Sequence, residues 1–145
     1  MFFFGQEFSE QAILDAVKTA ESVYPSECCG LLFRKKGSDI STLFVSLTNH
    51  SCNDAHFEVN ELEHIALLQQ QEAAGFVPSG FLHSHPDSEA RLSVRDQDRL
   101  VIEGIYVLGR LISFVLEVRG GKARELRGYS FSEKDQIFSS ESKQL

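Results

Sequence analysis

The sequence predicts a single α/β domain in which a mixed sheet is flanked by helices. Helical and strand periodicities alternate along the 145 residues, apolar side chains make up 42% of them, and no internal repeat or linker divides the chain. A chain of this length can bury enough apolar surface to form one core. We therefore expect one domain, residues 1–131, followed by a polar C-terminal tail, residues 132–145.

The first third of the chain predicts an edge strand, a helix and a hairpin. Residues 1–4 are all apolar and suit a short edge strand. A helix capped by Ser9 is expected to run to about Tyr24, because apolar side chains recur at helical spacing and Pro25 disfavours continuation. Strands are predicted at 28–34 and 40–47, joined by a turn.

A polar loop and a second helix are predicted next. The composition of residues 48–56 suits either the lining of a substrate cleft or a solvated loop. Asn60 and Glu63 form a capping pair, so a helix is expected from there to Ala74, with Gly75 as its C-terminal stop. One face of this helix is expected to carry Leu62, Ile65, Ala66 and Gln69.

The C-terminal half predicts a strand, a third helix and a hairpin. A strand is expected over 80–85 and a helix from Ser93 to about Glu103, closed by Gly104. Apolar runs at 105–108 and 111–118 follow, and Gly120-Gly121 joins the second run to 122–131 as a hairpin. The polar tail is expected to be a frayed helix or disordered.

Composition excludes several classes of function. The net charge is −7 and no basic run is longer than Arg34-Lys35-Lys36, which argues against a nucleic-acid partner. The apolar start is too short for a signal peptide or a membrane span, so no membrane partner is expected. Three cysteines without a Cys-x-x-Cys spacing indicate a reducing cytoplasm and small buried side chains: Cys28, Cys29 and Cys52.

The segment from Phe81 to Asp96 predicts a metal site. His83 and His85 are two residues apart, so on a strand both imidazoles project to one face. Pro86 ends the strand, and a helix beginning near Ser93 would place Asp96 in its first turn. Two imidazoles, one carboxylate and an open fourth position are what a catalytic zinc site requires.

Simpler interpretations exist for each of these residues alone. Ser93 and Asp96 fit a helix cap that needs no metal, and that interpretation is favoured for this pair on its own. A lone strand histidine is more often structural than a ligand. The combination of His-x-His, proline and a capped helix with an early aspartate favours the metal site, and a cap and a metal site are compatible.

This segment resembles the signature of the JAMM (MPN-plus) zinc metalloproteases. That signature has an upstream glutamate, then His-x-His-Pro, six residues, serine, two residues and aspartate. His83-Ser84-His85-Pro86, Ser93 and Asp96 match it without a gap, although Leu92 stands where many relatives have proline. The resemblance spans roughly residues 9–131 and implies a cytidine-deaminase-like fold of the compact prokaryotic type.

The resemblance implies a site and a reaction. Glu27, 56 positions before His83, would be the catalytic proton carrier, and the family pattern alone supports its placement. One Zn²⁺ held by His83, His85 and Asp96 would activate a water, and Ser93 would help to stabilise the charge on the carbonyl oxygen. The implied substrate is a ubiquitin-like β-grasp protein or its conjugate, cleaved after its C-terminal glycine as in deubiquitinase-like isopeptidases.

Other functions compete with this one. A zinc nucleobase deaminase would need His-x-Glu with a downstream Cys-x-x-Cys, and a gluzincin would need His-Glu-x-x-His; both are absent. A non-catalytic scaffold of the same fold stays open, although such members have generally lost a ligand. A peptidase that processes a sulfur-carrier protein or a small peptide also stays open.

Overall fold

The computed structural model describes residues 1–51 and 58–145. Within them are three helices: α1 (Glu10–Val23), α2 (Glu61–Ala73) and α3 (Val94–Leu100). Five strands precede α3: β1 (Phe2–Phe3), β2 (Gln6–Phe8), β3 (Cys29–Lys35), β4 (Ile40–Leu47) and β5 (Phe76–Pro86). Five follow it: β6 (Val101–Ile102), β7 (Ile105–Tyr106), β8 (Ile112–Arg119), β9 (Lys122–Ser132) and β10 (Ile137–Gln144).

Eight of the described strands form one mixed sheet in the order β1-β2-β4-β3-β5-β8-β9-β10. The central strand β5 is antiparallel to β3 and parallel to β8, and Cys29 lies opposite His83 in the first of these ladders. The remaining two described strands, β6 and β7, form a separate small hairpin. The predicted mixed sheet flanked by helices is confirmed.

Helix α1 covers one face of the sheet. Ser9 caps it by accepting a hydrogen bond from the Ala12 backbone N–H at 3.1 Å, as the sequence predicts. Apolar residues at helical spacing on α1 pack against alternate strand residues, among them Leu82 of β5. Because side chains alternate along β5, Ser84 shares this face with Leu82, whereas His83 and His85 point to the other side of the sheet.

The opposite face of the sheet carries α2 and α3. Leu67 of α2 packs with Leu31, Phe33 and Phe81. A second cluster next to α3 includes Leu100 and is built from these buried side chains: Ala90, Leu92, Tyr106, Val115 and Tyr129. Both histidines of β5 lie on this face, so α3 is packed beside them.

Helix α2 does not pack through the predicted face. Leu62 is 77% exposed and Ile65 is 50% exposed, whereas Leu67 is buried and Leu68 packs beside it. The helix therefore contacts the sheet through a single narrow stripe, and its apolar residues are distributed around it. The predicted cap is confirmed, since the Asn60 side chain accepts from the Glu63 N–H at 3.0 Å.

The C-terminal tail is ordered, contrary to the prediction from the sequence. Residues 132–145 were expected as a frayed helix or disordered, but β10 pairs antiparallel with β9 along its whole length. Phe138 packs against Phe131, with ring centroids 4.8 Å apart, and the Phe4 N–H donates to Glu141 Oε2 at 2.9 Å. An edge strand is held through its backbone and tolerates polar side chains, so its composition did not indicate it.

Helix α3 is shorter than expected, because it ends at Leu100 and not near Glu103. Glu103 and Gly104 have φ of 52° and 79° and form the turn of the β6–β7 hairpin, which suits a two-residue turn of type I′. Gly104 is thus a hairpin residue, not the stop of a helix. The β8–β9 hairpin was predicted correctly, with Gly120 and Gly121 at its turn.

The cysteines and the helix lengths can also be compared with the sequence predictions. Cys28 and Cys29 are buried and free, as predicted, whereas Cys52 and most of the predicted 48–56 loop lie outside the described residues. Within residues 1–51 and 58–145, none of the helices has the length and apolar character needed to cross a bilayer.

Candidate metal centre

Strand β5 brings its two histidines together. His83 and His85 are only 2% and 9% exposed, and their Nε2 atoms lie 3.0 Å apart. The other ring nitrogen of His85, Nδ1, is 2.8 Å from the backbone carbonyl of Glu89. Because a carbonyl only accepts, Nδ1 carries the proton, and in neutral His85 the Nε2 lone pair faces the centre.

Helix α3 supplies the carboxylate. Ser93 caps the helix by accepting from the Asp96 N–H at 3.0 Å, and Asp96 Oδ2 accepts from the Ser93 N–H at 2.9 Å. This capping box holds Asp96 so that Oδ2 also lies 3.3 Å from His83 Nε2 and 3.1 Å from His85 Nε2. The predicted cap and the predicted grouping of Asp96 with the histidines therefore occur together.

Glu27 reaches the same centre from the segment between α1 and β3. Its Oε1 lies 4.0 Å from His85 Nε2. Each of Glu27, His83 and His85 places one potential ligand atom within 4.8 Å of the others. The Glu27 side chain is 3% exposed, and its Oε2 has no hydrogen-bond partner among the residues that the structure describes. A buried carboxylate oxygen without a donor points to a further group at this position.

Burial and the close contacts change the acidity of all four groups. Burial raises the pKa of Glu27 from its ordinary value of 4.5 to about 7, against the opposing charge of His85. Burial lowers the pKa of His83. Burial also acts to lower the pKa of His85, but hydrogen bonds to Asp96 and the Glu89 carbonyl outweigh it, so that pKa is raised. Although burial opposes ionisation of Asp96, its contacts with both histidines hold its pKa far below the usual range.

The donor atoms fit a divalent metal ion such as zinc. His83 Nε2, His85 Nε2 and Asp96 Oδ2 form a triangle with edges of 3.0, 3.1 and 3.3 Å. Zinc bonds of about 2.0–2.1 Å in tetrahedral geometry separate neighbouring ligand atoms by about 3.3 Å, close to these values. An ionised aspartate and an imidazole with its lone pair directed inward are also the protonation states that zinc requires.

A groove of about 340 Å³ opens beside Glu27. It lies between the end of α1 and the end of β4, and its lining includes Ser26, Ser46, Thr48 and Asn49. Thr48 and Asn49 belong to the loop for which the sequence favoured either a cleft lining or simple solvation. These two residues line the groove, and residues 52–56 of that loop lie outside the described chain.

Several contacts around the site were not predicted. The Tyr24 hydroxyl donates to Asp87 Oδ2 at 2.5 Å, which ties the segment before Glu27 to the loop that follows β5. Asn49 donates to the backbone carbonyl of Glu27, and Ser84 accepts from the backbone N–H of Cys28. Ser84 is the middle residue of the His-x-His motif, so its position gives a sequence signal. Tyr24, Asp87 and Asn49 lie in no local pattern that indicates their contacts.

The mixed sheet flanked by helices is the fold of the JAB/MPN class of domain. Residues 9–127 match the family described as prokaryotic homologs of the JAB domain, and the chain belongs to that family. The predicted compact prokaryotic relationship is confirmed.

One curated relative supports the assignment, and three solved structures share the fold. Desampylase of Haloferax volcanii is 30% identical over 108 residues, which cover 70% of this chain and 76% of that protein. A solution structure from Desulfitobacterium hafniense has a TM-score of 0.72 at 22% identity, covering 93% of this chain and 88% of that one. A solution structure from Salinibacter ruber has a TM-score of 0.66 at 21% identity, covering 94% and 88%. A crystal structure of a JAB1/MPN domain protein from Archaeoglobus fulgidus has a TM-score of 0.54 at 16% identity, covering 92% and 94%.

Proposed function

We propose that this chain is a zinc-dependent isopeptidase that hydrolyses the bond after the C-terminal glycine of a ubiquitin-like protein. The observation that carries the proposal is the triangle of donor atoms from His83, His85 and Asp96 beside the buried carboxylate of Glu27. Family membership and the desampylase relative support a hydrolase. The intact set of donors argues against a scaffold that has lost its chemistry.

His83, His85 and Asp96 would hold the zinc ion. When bound, zinc supplies the Lewis acidity that activates water and polarises a carbonyl group. The chain's own residues prepare for it: the Glu89 carbonyl fixes the His85 ring, and the Ser93 N–H orients Asp96 Oδ2. These contacts keep the donor atoms in place and reduce the reorganisation needed on binding.

Glu27 would carry the proton of the reaction. Burial raises its pKa to about 7 in the metal-free protein, and a carboxylate at this position is suited to accept a proton from the attacking water and to return one. The departing lysine or backbone amine needs that proton, because an amide nitrogen leaves poorly as an anion. Glu27 Oε2, which lacks a hydrogen-bond partner within the described chain, is the oxygen we assign to this role.

Ser93 would stabilise the negative charge that develops on the substrate carbonyl oxygen. Its hydroxyl oxygen already accepts from the Asp96 N–H, so its own proton can be donated to the substrate. Preorganised donors of this kind are effective because they do not have to reorient during the reaction. Ser93 would thus serve as both helix cap and catalytic donor.

The groove beside Glu27 suits an extended, narrow peptide. In the described chain β2 pairs with β4 only at Ile40 and Ser41, so the later part of β4 has an edge without a neighbouring strand. An extended C-terminal tail can add to such an edge through backbone hydrogen bonds, and glycines would pass closest to the buried centre. The desampylase relative supports a ubiquitin-like conjugate as the substrate.

The cytoplasm is the compartment that we propose. Cys28 and Cys29 are adjacent, buried and free, and burial raises the pKa of each thiol to about 12, so both stay unreactive. Free thiols of this kind are typical of a reducing compartment.

The proposal is tested by incubating zinc-loaded protein with a panel of β-grasp proteins that carry C-terminal extensions or lysine conjugates. Intact-mass spectrometry of wild type and Glu27→Gln identifies the bond that is cut, and zinc content is measured on both. Cleavage after the terminal glycine by wild type alone supports the proposal. Zinc-loaded wild type that cuts no member would overturn the assigned substrate class, and cleavage of short unrelated peptides would favour a small-peptide peptidase.

A further inference from the structure

Glu27 lies outside the regular hydrogen-bond ladder of the sheet. Strand β3 begins at Cys29, which lies opposite His83, so the peptide group between Glu27 and Cys28 precedes the strand. This peptide group fixes the direction in which the Glu27 side chain leaves the backbone. The hydrogen bonds that hold this peptide group therefore determine where the Glu27 carboxylate lies relative to His85.

Two side chains hold the two ends of this one peptide group. The Cys28 N–H donates to Ser84 Oγ at 2.8 Å. The Glu27 carbonyl accepts from Asn49 Nδ2 at 3.0 Å. The carbonyl of Glu27 and the N–H of Cys28 belong to the same planar unit, so the pair of bonds fixes its orientation.

Each of the two side chains is itself held. Ser84 is 1% exposed and lies between the two histidines on β5, and its backbone N–H donates to the Cys28 carbonyl at 3.0 Å. Asn49 Oδ1 accepts from the backbone N–H groups of Ser51 and Glu58, at 3.0 and 2.9 Å. Ser84 thus connects Glu27 to the histidine strand, and Asn49 connects it to both ends of the loop beside the groove.

We propose that Ser84 and Asn49 are positioning residues that clamp the Glu27–Cys28 peptide group and thereby aim the Glu27 carboxylate at the centre. The inference rests on the proposed function, because it assigns the clamp to the reaction in which Glu27 carries the proton. In the clamp, the side chains of both residues contact the backbone at Glu27 and Cys28, not the donor atoms of His83, His85 and Asp96. Loss of the clamp should therefore misplace the proton carrier and leave metal binding intact.

Two variants remove one bond each. Ser84→Ala leaves the buried Cys28 N–H without its acceptor, whereas Ser84→Thr keeps a hydroxyl and should restore function. Asn49→Asp is nearly isosteric: it keeps Oδ1 as acceptor for Ser51 and Glu58, and it loses the donor to the Glu27 carbonyl. Asn60→Asp is the matched control, because it makes the same change at the cap of α2, where aspartate is an equally good cap.

The kinetic expectation is a loss in kcat without a change in KM or zinc content. Misplacing a reacting group by about 1 Å costs about 100-fold in rate, so a partial loss of order should lower kcat about 10-fold or more in Ser84→Ala and Asn49→Asp. Ser84→Thr and Asn60→Asp should stay within about 3-fold of wild type. Unchanged kcat in both clamp variants, or zinc lost in parallel with kcat, would overturn the proposal.

A measurement without substrate separates this inference from the proposed function. Amide hydrogen exchange of Cys28 should be slow in wild type and at least about 10-fold faster in Ser84→Ala and Asn49→Asp, but unchanged in Asn60→Asp. If wild type cleaves no substrate while the exchange rates change as expected, the clamp stands and the proposed reaction fails. Equal exchange rates in all variants would overturn the clamp. If Ser84→Ala does not fold, Asn49→Asp alone decides.

Discussion

The proposed ligand side of the centre, which carries His83, His85 and Asp96, and the Glu27 side are built in different ways. His83 and Asp96 are 13 positions apart, and a strand, a proline and a capped helix set their geometry. Glu27 joins them from a distant part of the chain, through contacts such as that between Cys28 and Ser84, 56 positions apart. The proposed ligand side is therefore specified by local structure, whereas the position of Glu27, the proposed proton carrier, depends on tertiary hydrogen bonds.

This difference predicts that the two sides can be broken separately. Damage to the ligand side should remove the metal, and damage to the Glu27 side should remove turnover while the metal stays bound.

Substitution of a ligand should have the largest effect. His83→Ala should abolish stoichiometric zinc, because it leaves two of the three converging donors, and zinc affinity should fall by more than the roughly 10–100-fold that loss of an outer partner costs. Elemental analysis after dialysis measures this. His64→Ala, on α2, is the control and should keep its zinc. Full zinc occupancy in His83→Ala would remove His83 from the ligand set.

Glu27→Gln should keep zinc and lose turnover. Loss of a general acid–base group costs roughly 10²–10⁴-fold in kcat, and an amide in place of the carboxylate cannot accept the proton. Steady-state rates and zinc content on the same preparation measure both effects. Glu72→Gln, an exposed change on α2, should leave both values as in wild type. A near-normal kcat in Glu27→Gln would exclude Glu27 as the proton carrier.

The sequence predicted these two sides unequally. The ligand side follows from residue spacing, because strand periodicity and a capping box act over a few residues. The position of Glu27 came only from the family resemblance, since no local pattern places a residue that precedes β3 beside α3. The edge strand β10 was missed for a related reason: its polar residues pair through the backbone, which composition does not reveal.

Glu27 also makes the stability of the metal-free protein depend on pH. Its pKa rises from 4.5 to about 7 on folding, so the folded state favours the protonated form. That contribution to stability is complete below about pH 4.5 and is lost as the pH rises to about 7. Wild type should therefore be less stable than Glu27→Gln at pH 8 by about 3 kcal/mol, since one pKa unit corresponds to about 1.4 kcal/mol.

Urea unfolding of the two metal-free proteins at pH 5 and pH 8 tests this. The difference in the free energy of unfolding should be small at pH 5 and large at pH 8. Glu72→Gln is again the control, and its difference from wild type should not change with pH. A constant difference between wild type and Glu27→Gln at both pH values would show that burial does not raise the pKa of Glu27.

Ser93 has the smallest expected effect on stability, and its two proposed roles can be separated. Ser93→Ala removes the cap of α3 and should cost about 1 kcal/mol of unfolding free energy. Ser93→Asn retains a good cap but lacks the hydroxyl, so it should keep stability and still lose about 10²-fold or more in kcat. Urea unfolding and steady-state kinetics measure the two effects. Wild-type turnover in Ser93→Asn would leave Ser93 as a helix cap only.

A crystal structure of the zinc-loaded protein, with anomalous diffraction recorded at the zinc absorption edge, tests the division of the centre most directly. We expect one zinc peak per chain within about 2.0–2.2 Å of His83 Nε2, His85 Nε2 and an Asp96 oxygen, with Glu27 beyond bonding distance. Zinc coordinated by Glu27 in place of Asp96 would contradict the separation of metal ligands from proton carrier. A zinc peak away from this centre would contradict the site itself.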